Sequence, residues 1–162
     1  MTTSPPDPKF LLAHPAHLIA FGFGSGLAPK APGTVGTLLG LPLYWLIVAA
    51  APDLPNQVIF LAAMFLLGVW ACGKTGRALG VADHGGMVWD EIVAFALVLL
   101  FTPAGWVWVV LAFALFRLFD ILKPWPIRVA DRHLKNGFGV MFDDLLAAGF
   151  AIAVIKGLQW LV

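Results

Sequence analysis

The chain has 162 residues, of which 60% are hydrophobic and 12% are charged, and its mean hydropathy is +0.90. Ordinary soluble domains carry about 25% charged residues, so this composition excludes a typical soluble protein and predicts a single membrane-embedded unit. The net charge of +1 gives no sign of the basic footprint of a nucleic-acid-binding protein, and the single cysteine excludes an intramolecular disulfide bond.

The N-terminal residues "MTTSPPDPKF" are polar and rich in proline, and they lack the basic start and compact apolar core of a cleavable signal peptide. We interpret residues 1–16 as a polar N-terminal tail and residues 17–162 as one membrane-embedded domain. The first apolar stretch, "HLIAFGFGSGL" (17–27), is interrupted by glycines. It predicts a re-entrant or interfacial segment rather than a complete span.

Five longer apolar stretches follow, and they predict an all-α, polytopic membrane helical bundle of about five hydrophobic helices. They cover residues 35–51, 55–72, 90–101, 104–122 and 143–162. A helix that crosses a bilayer needs about 20 residues, so the third stretch is too short to span without extension, tilt or burial within the bundle.

The distribution of basic residues predicts the orientation of this bundle. With five spans, residues 1–34, 73–89 and 117–142 share one side of the membrane. That side carries nine of the ten basic residues: Lys9, Lys30, Lys74, Arg77, Arg117, Lys123, Arg128, Arg132 and Lys135. The positive-inside rule then predicts a cytoplasmic N-terminus and a periplasmic C-terminus. All four histidines and every acidic residue except Asp53 share the cytoplasmic side.

Acidic residues stand at the predicted mouths of two helices, where "VWDEIVAF" contains Asp90 and Glu91 and "MFDDLL" contains Asp143 and Asp144. A plain explanation is available, because a carboxylate at a helix N-terminus gains about 0.3–1 kcal/mol from the macrodipole. That explanation fails for Asp120, which is predicted near the C-terminal end of the fourth helix. Arg117, one turn earlier, can pair with it.

Carboxylates gathered on one face form a set of hard oxygen ligands that suits Mg²⁺. The candidate metal ligands are Asp90, Glu91, Asp120, Asp143 and Asp144. Neighbouring cations would neutralise phosphate oxygens, and the candidates are Lys30, Arg117, Lys123 and Arg128. In "PGTVGT", Thr34 is expected to cap the first span and leave backbone N–H groups free for an anion, with Thr37 beside it. A plain capped helix start remains the alternative there.

Two apparent motifs are rejected. Residues 68–75, "GVWACGKT", match a phosphate-binding loop by letter, but that motif needs a strand before the loop and a helix after it. The segment "CGKTGR" resembles a cysteine-phosphatase loop, yet Arg77 stands one residue too early. Cys72 is therefore interpreted as a packing residue. His84 in "ADHGG" is a candidate acid–base group beside the carboxylates.

The segments "GFGSGLAPKAPGTVGT", "DHGGMVWDEIVAF", "FRLFDILKPWPIR" and "DRHLKNGFGVMFDDLLAAG" together resemble bacterial phosphatidylglycerophosphatase A. The resemblance covers residues 17–149. It implies a magnesium-dependent hydrolase of the inner membrane that converts phosphatidylglycerophosphate to phosphatidylglycerol in phospholipid biosynthesis. The candidate catalytic residues are then Asp90, Glu91, Asp143, Asp144 and His84, and the candidate substrate-binding residues are Lys30, Thr34, Thr37, Arg117, Lys123 and Arg128.

Two other functions remain open from the residues alone. A small cation transporter also uses membrane carboxylates, although these should then lie within the spans rather than on one face. A non-catalytic membrane scaffold would need no such carboxylate set. The expected partner is a phospholipid in the bilayer, with no nucleotide and no nucleic acid, and the oligomeric state is left open.

Overall fold

The computed structural model describes residues 6–161, and within that range every regular element is helical, as the sequence predicts. The elements are α1 (Pro8–Leu12), α2 (Pro15–Ala20), a 3₁₀ segment (Gly22–Leu27), α3 (Pro32–Ala50), α4 (Leu54–Leu79), α5 (Trp89–Leu100), α6 (Trp106–Leu122), α7 (Ile127–His133) and α8 (Gly137–Gln159).

The N-terminal helices are short because turn-forming residues interrupt them. Phe23 (φ 57°) and Gly24 (φ 103°) both leave the helical region, so this glycine-rich part of the chain does not form a continuous span. Nδ1 of His17 lies 3.0 Å from Oγ1 of Thr75, which fastens α2 to α4. Leu11 of α1 is buried in the core, although it falls within the part of the sequence interpreted as a tail.

The five predicted apolar stretches correspond to α3, α4, α5, α6 and α8. Within residues 6–161, three helices are long and apolar enough to cross a membrane, namely α3, α4 and α8. The other two, α5 and α6, have 12 and 17 residues. The prediction of an all-α bundle with helices of membrane-spanning length is therefore confirmed, and the number of about five membrane helices is approximate.

Two predicted helix starts are wrong. The last helix begins at Gly137, where the Asn136 side chain accepts a hydrogen bond from the N–H of Gly139. Asp143 and Asp144 therefore lie nearly two turns inside α8, beyond the first turn in which the macrodipole favours a carboxylate. Thr34 does not cap α3, because that helix begins at Pro32 and no side chain caps it.

The central helix of the bundle is α5, which packs against α3, α4, α6 and α8 and is buried along most of its length. Nε1 of Trp89, its first residue, donates a hydrogen bond to the carbonyl of Met64 at 3.1 Å. This contact aligns the start of α5 with the middle of α4. The residues that follow Trp89 are therefore held inside the bundle, about three turns from Lys74, the first charged residue toward the C-terminal end of α4.

Candidate active site

The guanidinium of Arg117 on α6 joins three helices. Its Nη1 lies 2.8 Å from Oε1 of Glu91 on α5 and 2.6 Å from Oδ2 of Asp120, one turn later on α6. The same nitrogen lies 3.4 Å from the hydroxyl oxygen of Thr37 on α3, and that hydroxyl donates to the carbonyl of Gly33 at 2.8 Å. The predicted pairing of Arg117 with Asp120 is confirmed, and Glu91 shares it.

Two glycines of α3 make room for the Glu91 carboxylate. A Cβ atom at Gly33 would lie 2.0 Å from Oε1 of Glu91, and one at Gly36 would lie 3.2 Å from Oε2. Any side chain at Gly33 would therefore displace the carboxylate or the helix. The two glycines of "PGTVGT" therefore contribute to the site because they lack side chains. Any role of the backbone N–H groups of this segment would be additional.

Lys123 forms a second charged group at the end of α6. Its Nζ contacts the carboxylate of Asp143 on α8 and lies 3.0 Å from Oδ1 of Asp131 on α7. The residue has φ 43°, a left-handed conformation that residues with side chains seldom adopt and that often marks functional sites. This backbone bend ends α6 and gives a lysine that bridges two helices.

The charges around Lys123 shift pKa values outside the apolar helices. Burial alone would lower the pKa of Lys123, but the hydrogen bonds and negative charges of Asp143 and Asp131 outweigh it and raise the pKa. Burial alone would raise the pKa of Asp131, yet the hydrogen bond and charge of Lys123 lower it. Both side chains are therefore charged at neutral pH.

Asp90, Asp143 and Asp144 are the buried carboxylates of the group. Their residues are 7%, 4% and 3% exposed, and Oδ1 of Asp90 accepts the backbone N–H of Glu91 at 3.0 Å. Asp144 lies within electrostatic reach of Asp90, Glu91, Asp120 and Asp143. Its Oδ2 is buried and has no hydrogen-bond partner among residues 6–161. An unpaired buried carboxylate oxygen is costly, so this position suits a bound cation.

Two acidic residues near the site were missed from the sequence. Asp131 pairs with Lys123, and Asp83 lies exposed in the loop between α4 and α5, from which its charge acts on Asp90, Glu91 and Asp143. Asp83 stands next to His84 in "ADHGG". The position of Asp83 shortly before α5 in the sequence could have indicated it as a site residue. The pairing of Asp131, in contrast, depends on the backbone bend at the end of α6.

We use the name carboxylate cluster for Asp83, Asp90, Glu91, Asp120, Asp131, Asp143 and Asp144. Among residues 6–161, these seven acidic groups outnumber the three cations that contact them, Arg117, Lys123 and Lys135. Within the described range, no three His, Cys, Asp or Glu side chains converge closely enough to enclose a metal ion. The excess of negative charge and the unpaired oxygens, Oε2 of Glu91 and Oδ2 of Asp144, nevertheless match the needs of a hard cation.

Other predicted site residues do not take part in the contacts of Arg117 and Lys123. Lys30 and Arg128 are exposed, and Arg128 donates to the carbonyl of Leu122 at 3.4 Å. Thr34 is partly buried in the first turn of α3. Nδ1 of His84 accepts the N–H of Gly86 at 3.0 Å, so one ring nitrogen is used within its own turn. Their roles in binding or catalysis stay predictions.

The rejected motifs lie within a continuous helix. Residues 68–75 belong to α4, which has no loop there to surround a phosphate. Cys72 is fully buried, as expected for a packing residue, and Asp83, Asp90 and Asp144 lie within electrostatic reach of it. The carboxylate cluster is therefore level with the last apolar turns of α4.

Comparisons with known proteins identify the relatives of this chain. A sequence profile of phosphatidylglycerophosphatase A matches residues 18–159. The phosphatidylglycerophosphatase A of Haemophilus influenzae is 49% identical over 99% of this chain and 98% of its own length. That of Escherichia coli is 39% identical over 91% of this chain and 85% of its own length.

A Bacteroides thetaiotaomicron protein, provisionally named a phosphatidylinositol-3-phosphatase, is 39% identical over 90% of this chain and 94% of its own length. No solved structure matches the chain. The relatives are named as phosphatases, and the alternative of a cation transporter finds no support among them.

Proposed function

We propose, because the chain belongs to the phosphatidylglycerophosphatase A family, that it hydrolyses phosphatidylglycerophosphate to phosphatidylglycerol and phosphate. Membership in the family makes it a phosphatase. The single structural observation that carries the substrate proposal is the carboxylate cluster with Arg117 and Lys123, held at the start of α5 inside an apolar bundle. A diacyl lipid keeps its tails in the bilayer, so its phosphate has to be met near the membrane surface.

The reaction depends on Mg²⁺ in this proposal. Carboxylate oxygens are the ligands that Mg²⁺ prefers, and the unpaired oxygens of Glu91 and Asp144 are available to hold it. Asp90, Asp120 and Asp143 complete the candidate ligand set. When bound, Mg²⁺ lowers the pKa of a bound water or polarises the phosphoryl group.

The cations of the site act on the phosphate. Arg117 Nε–H is buried and has no acceptor among residues 6–161, so a phosphate oxygen would satisfy it. The ammonium of Lys123 would neutralise a second oxygen. A water oxygen bonds to phosphorus, the bond from phosphorus to the glycerol oxygen breaks, and that oxygen takes a proton. A carboxylate of the cluster, or His84, would accept the proton from the water.

The proposed location is the bacterial inner membrane, with the site on the cytoplasmic face. The basic residues of the loops support this orientation. Reporter fusions at the C-terminus and in the loop before α8 should lie on opposite sides of the membrane, periplasmic and cytoplasmic respectively. A cytoplasmic signal from both fusions would contradict the five-span topology.

Phosphate release by the purified protein tests the function directly. The full chain in detergent–lipid mixed micelles should release phosphate from phosphatidylglycerophosphate, lose this activity in excess EDTA, and regain it with Mg²⁺. Phosphatidylinositol 3-phosphate is the comparison substrate, because one relative carries that activity in its name. Preference for the inositol lipid would overturn the substrate proposal, and full activity in EDTA would overturn the metal dependence.

A further inference from the structure

An apolar groove of about 350 Å³ lies between α4, α5 and α8. Its walls include Val58, Leu61 and Phe65 of α4, Val93 and Leu97 of α5, and Leu145 of α8. This volume is within the range of small-molecule sites in proteins, which hold about 300–1,000 Å³. The groove is therefore large enough for part of a hydrocarbon chain.

One member of the carboxylate cluster, Asp90, lines the groove. Asp90 is the one charged residue among the described residues that line the groove, and Asp90 also accepts the N–H of Glu91 in the site. The wall formed by α4 extends from Leu66 back to Val58, about 12 Å at 1.5 Å per residue. It thus leads away from the polar end of α4 and into the apolar part of the bundle.

The groove is also open at its side. Val58, Ala62 and Leu66 line it and are exposed on the surface of an apolar helix long enough to span the membrane. A chain in the surrounding bilayer could therefore enter laterally, without passing through water. A polar ligand would find only Asp90 to bind along these walls, so hydrocarbon is the chemistry that the groove accepts.

We propose that this groove holds one acyl chain of the phospholipid substrate while its phosphate lies at the carboxylate cluster. The proposal rests on the proposed function and adds a subsite to it. Lipid tails are as apolar as these walls, so moving a chain from the bilayer into the groove contributes little affinity. Its effect is positional: it fixes the distance from the glycerol backbone to Asp90 and Asp144, and small misplacements of reacting groups slow catalysis strongly.

Two neighbouring alanines of α4 provide a matched pair for the test. Ala62 lines the groove and Ala63 does not, and both residues are exposed. Ala62→Phe should narrow the groove and lower the rate of phosphate release from dioleoyl phosphatidylglycerophosphate at least about tenfold, as expected for a misplaced substrate. Ala63→Phe should keep the rate of the unmodified protein. Equal rates in the two variants would overturn the proposal.

Photolabelling tests occupancy without relying on a variant. Phosphatidylglycerophosphate with a diazirine in one acyl chain should label peptides of α5 and α8 that contain Val93, Leu97 or Leu145. Phosphatidylcholine with the same chain should label these peptides much less. Equal labelling by the two lipids would show that the groove admits any bilayer lipid, and it would overturn a site for the substrate. Normal phosphate release without groove labelling overturns the acyl-chain site alone, whereas absence of phosphate release from the unlabelled substrate overturns the proposed function.

Discussion

Arg117 binds Glu91 across the interface of α6 and α5, with 2.8 Å between Nη1 and Oε1. The two side chains are 16% and 13% exposed, so this ion pair is largely removed from water. Asp120 contacts the same nitrogen and would balance the charge of Arg117 by itself. A second carboxylate on one guanidinium is more than charge balance requires, which indicates that Glu91 has a function beyond this pair.

Glu91→Gln should reduce phosphate release at least about 100-fold, the scale on which one preorganised electrostatic contact contributes to catalysis. The amide keeps the shape of the side chain and removes its charge. Asp53→Asn is the matched control. Asp53 caps the N-terminus of α4, at the end of that helix away from the carboxylate cluster, and asparagine preserves the cap. A normal rate for Glu91→Gln would reduce Glu91 to a structural partner of Arg117.

Asp144→Asn should abolish both phosphate release and the stabilisation of the protein by Mg²⁺. A ligand that binds only the folded state raises the melting temperature, by an amount that grows with its concentration. The unmodified protein and Asp53→Asn should therefore melt at higher temperature as Mg²⁺ is added, and Asp144→Asn should not. If Asp144→Asn retained the full Mg²⁺-dependent shift, Asp144 would not belong to the metal site.

Lys123→Met should lower the free energy of unfolding by about 1.5–3 kcal/mol, the usual contribution of a hydrogen bond to a charged group. The loss arises because Asp143, 4% exposed, would remain without its cation. Lys135→Met is the control. Lys135 is mostly exposed and lies 3.8 Å from Asp131, so its removal should change stability by less than about 1 kcal/mol. Equal losses in denaturant titrations would contradict a special role for Lys123.

The raised pKa of Lys123 predicts how this pair responds to pH. A lysine whose pKa is higher in the folded state contributes its full stabilisation below the unfolded value of about 10.4. The contribution is lost as the pH rises above that value and through the folded pKa. The difference in stability between the unmodified protein and Lys123→Met should therefore not decline between pH 7 and pH 9. A decline within that interval would show that Lys123 loses its proton too early for this assignment.

Gly33→Ala should impair catalysis strongly, because the new methyl group would overlap with Oε1 of Glu91. Gly149→Ala on α8 is the control, since a Cβ atom there meets nothing within 4 Å and alanine favours a helix by about 0.5–1 kcal/mol over glycine. The control should retain activity and gain stability. Comparable rates for the two variants would mean that α3 can shift to accommodate the methyl group.

Much of the organisation was predictable because apolar length and the positions of charges are properties of the sequence. Long apolar stretches bounded by polar turns predict helices, and five such helices are present among residues 6–161. Asp90 and Glu91 were placed correctly in the first turn of α5. The spacing of Arg117 and Asp120 also predicted their pairing, since residues three apart lie on the same face of a helix.

Helix ends and contacts between helices could be decided only by the tertiary structure. Residues 137–142 are helical and extend α8 ahead of the predicted stretch 143–162, so Asp143 and Asp144 lie inside the helix rather than at its start. The fit of Gly33 to Glu91 depends on how closely α3 approaches α5, and the contacts of Lys123 depend on a left-handed residue that turns the chain. The sequence by itself determined which groups are available and on which helices they lie. Packing decided which of them meet, because distances between helices depend on every side chain at their interface.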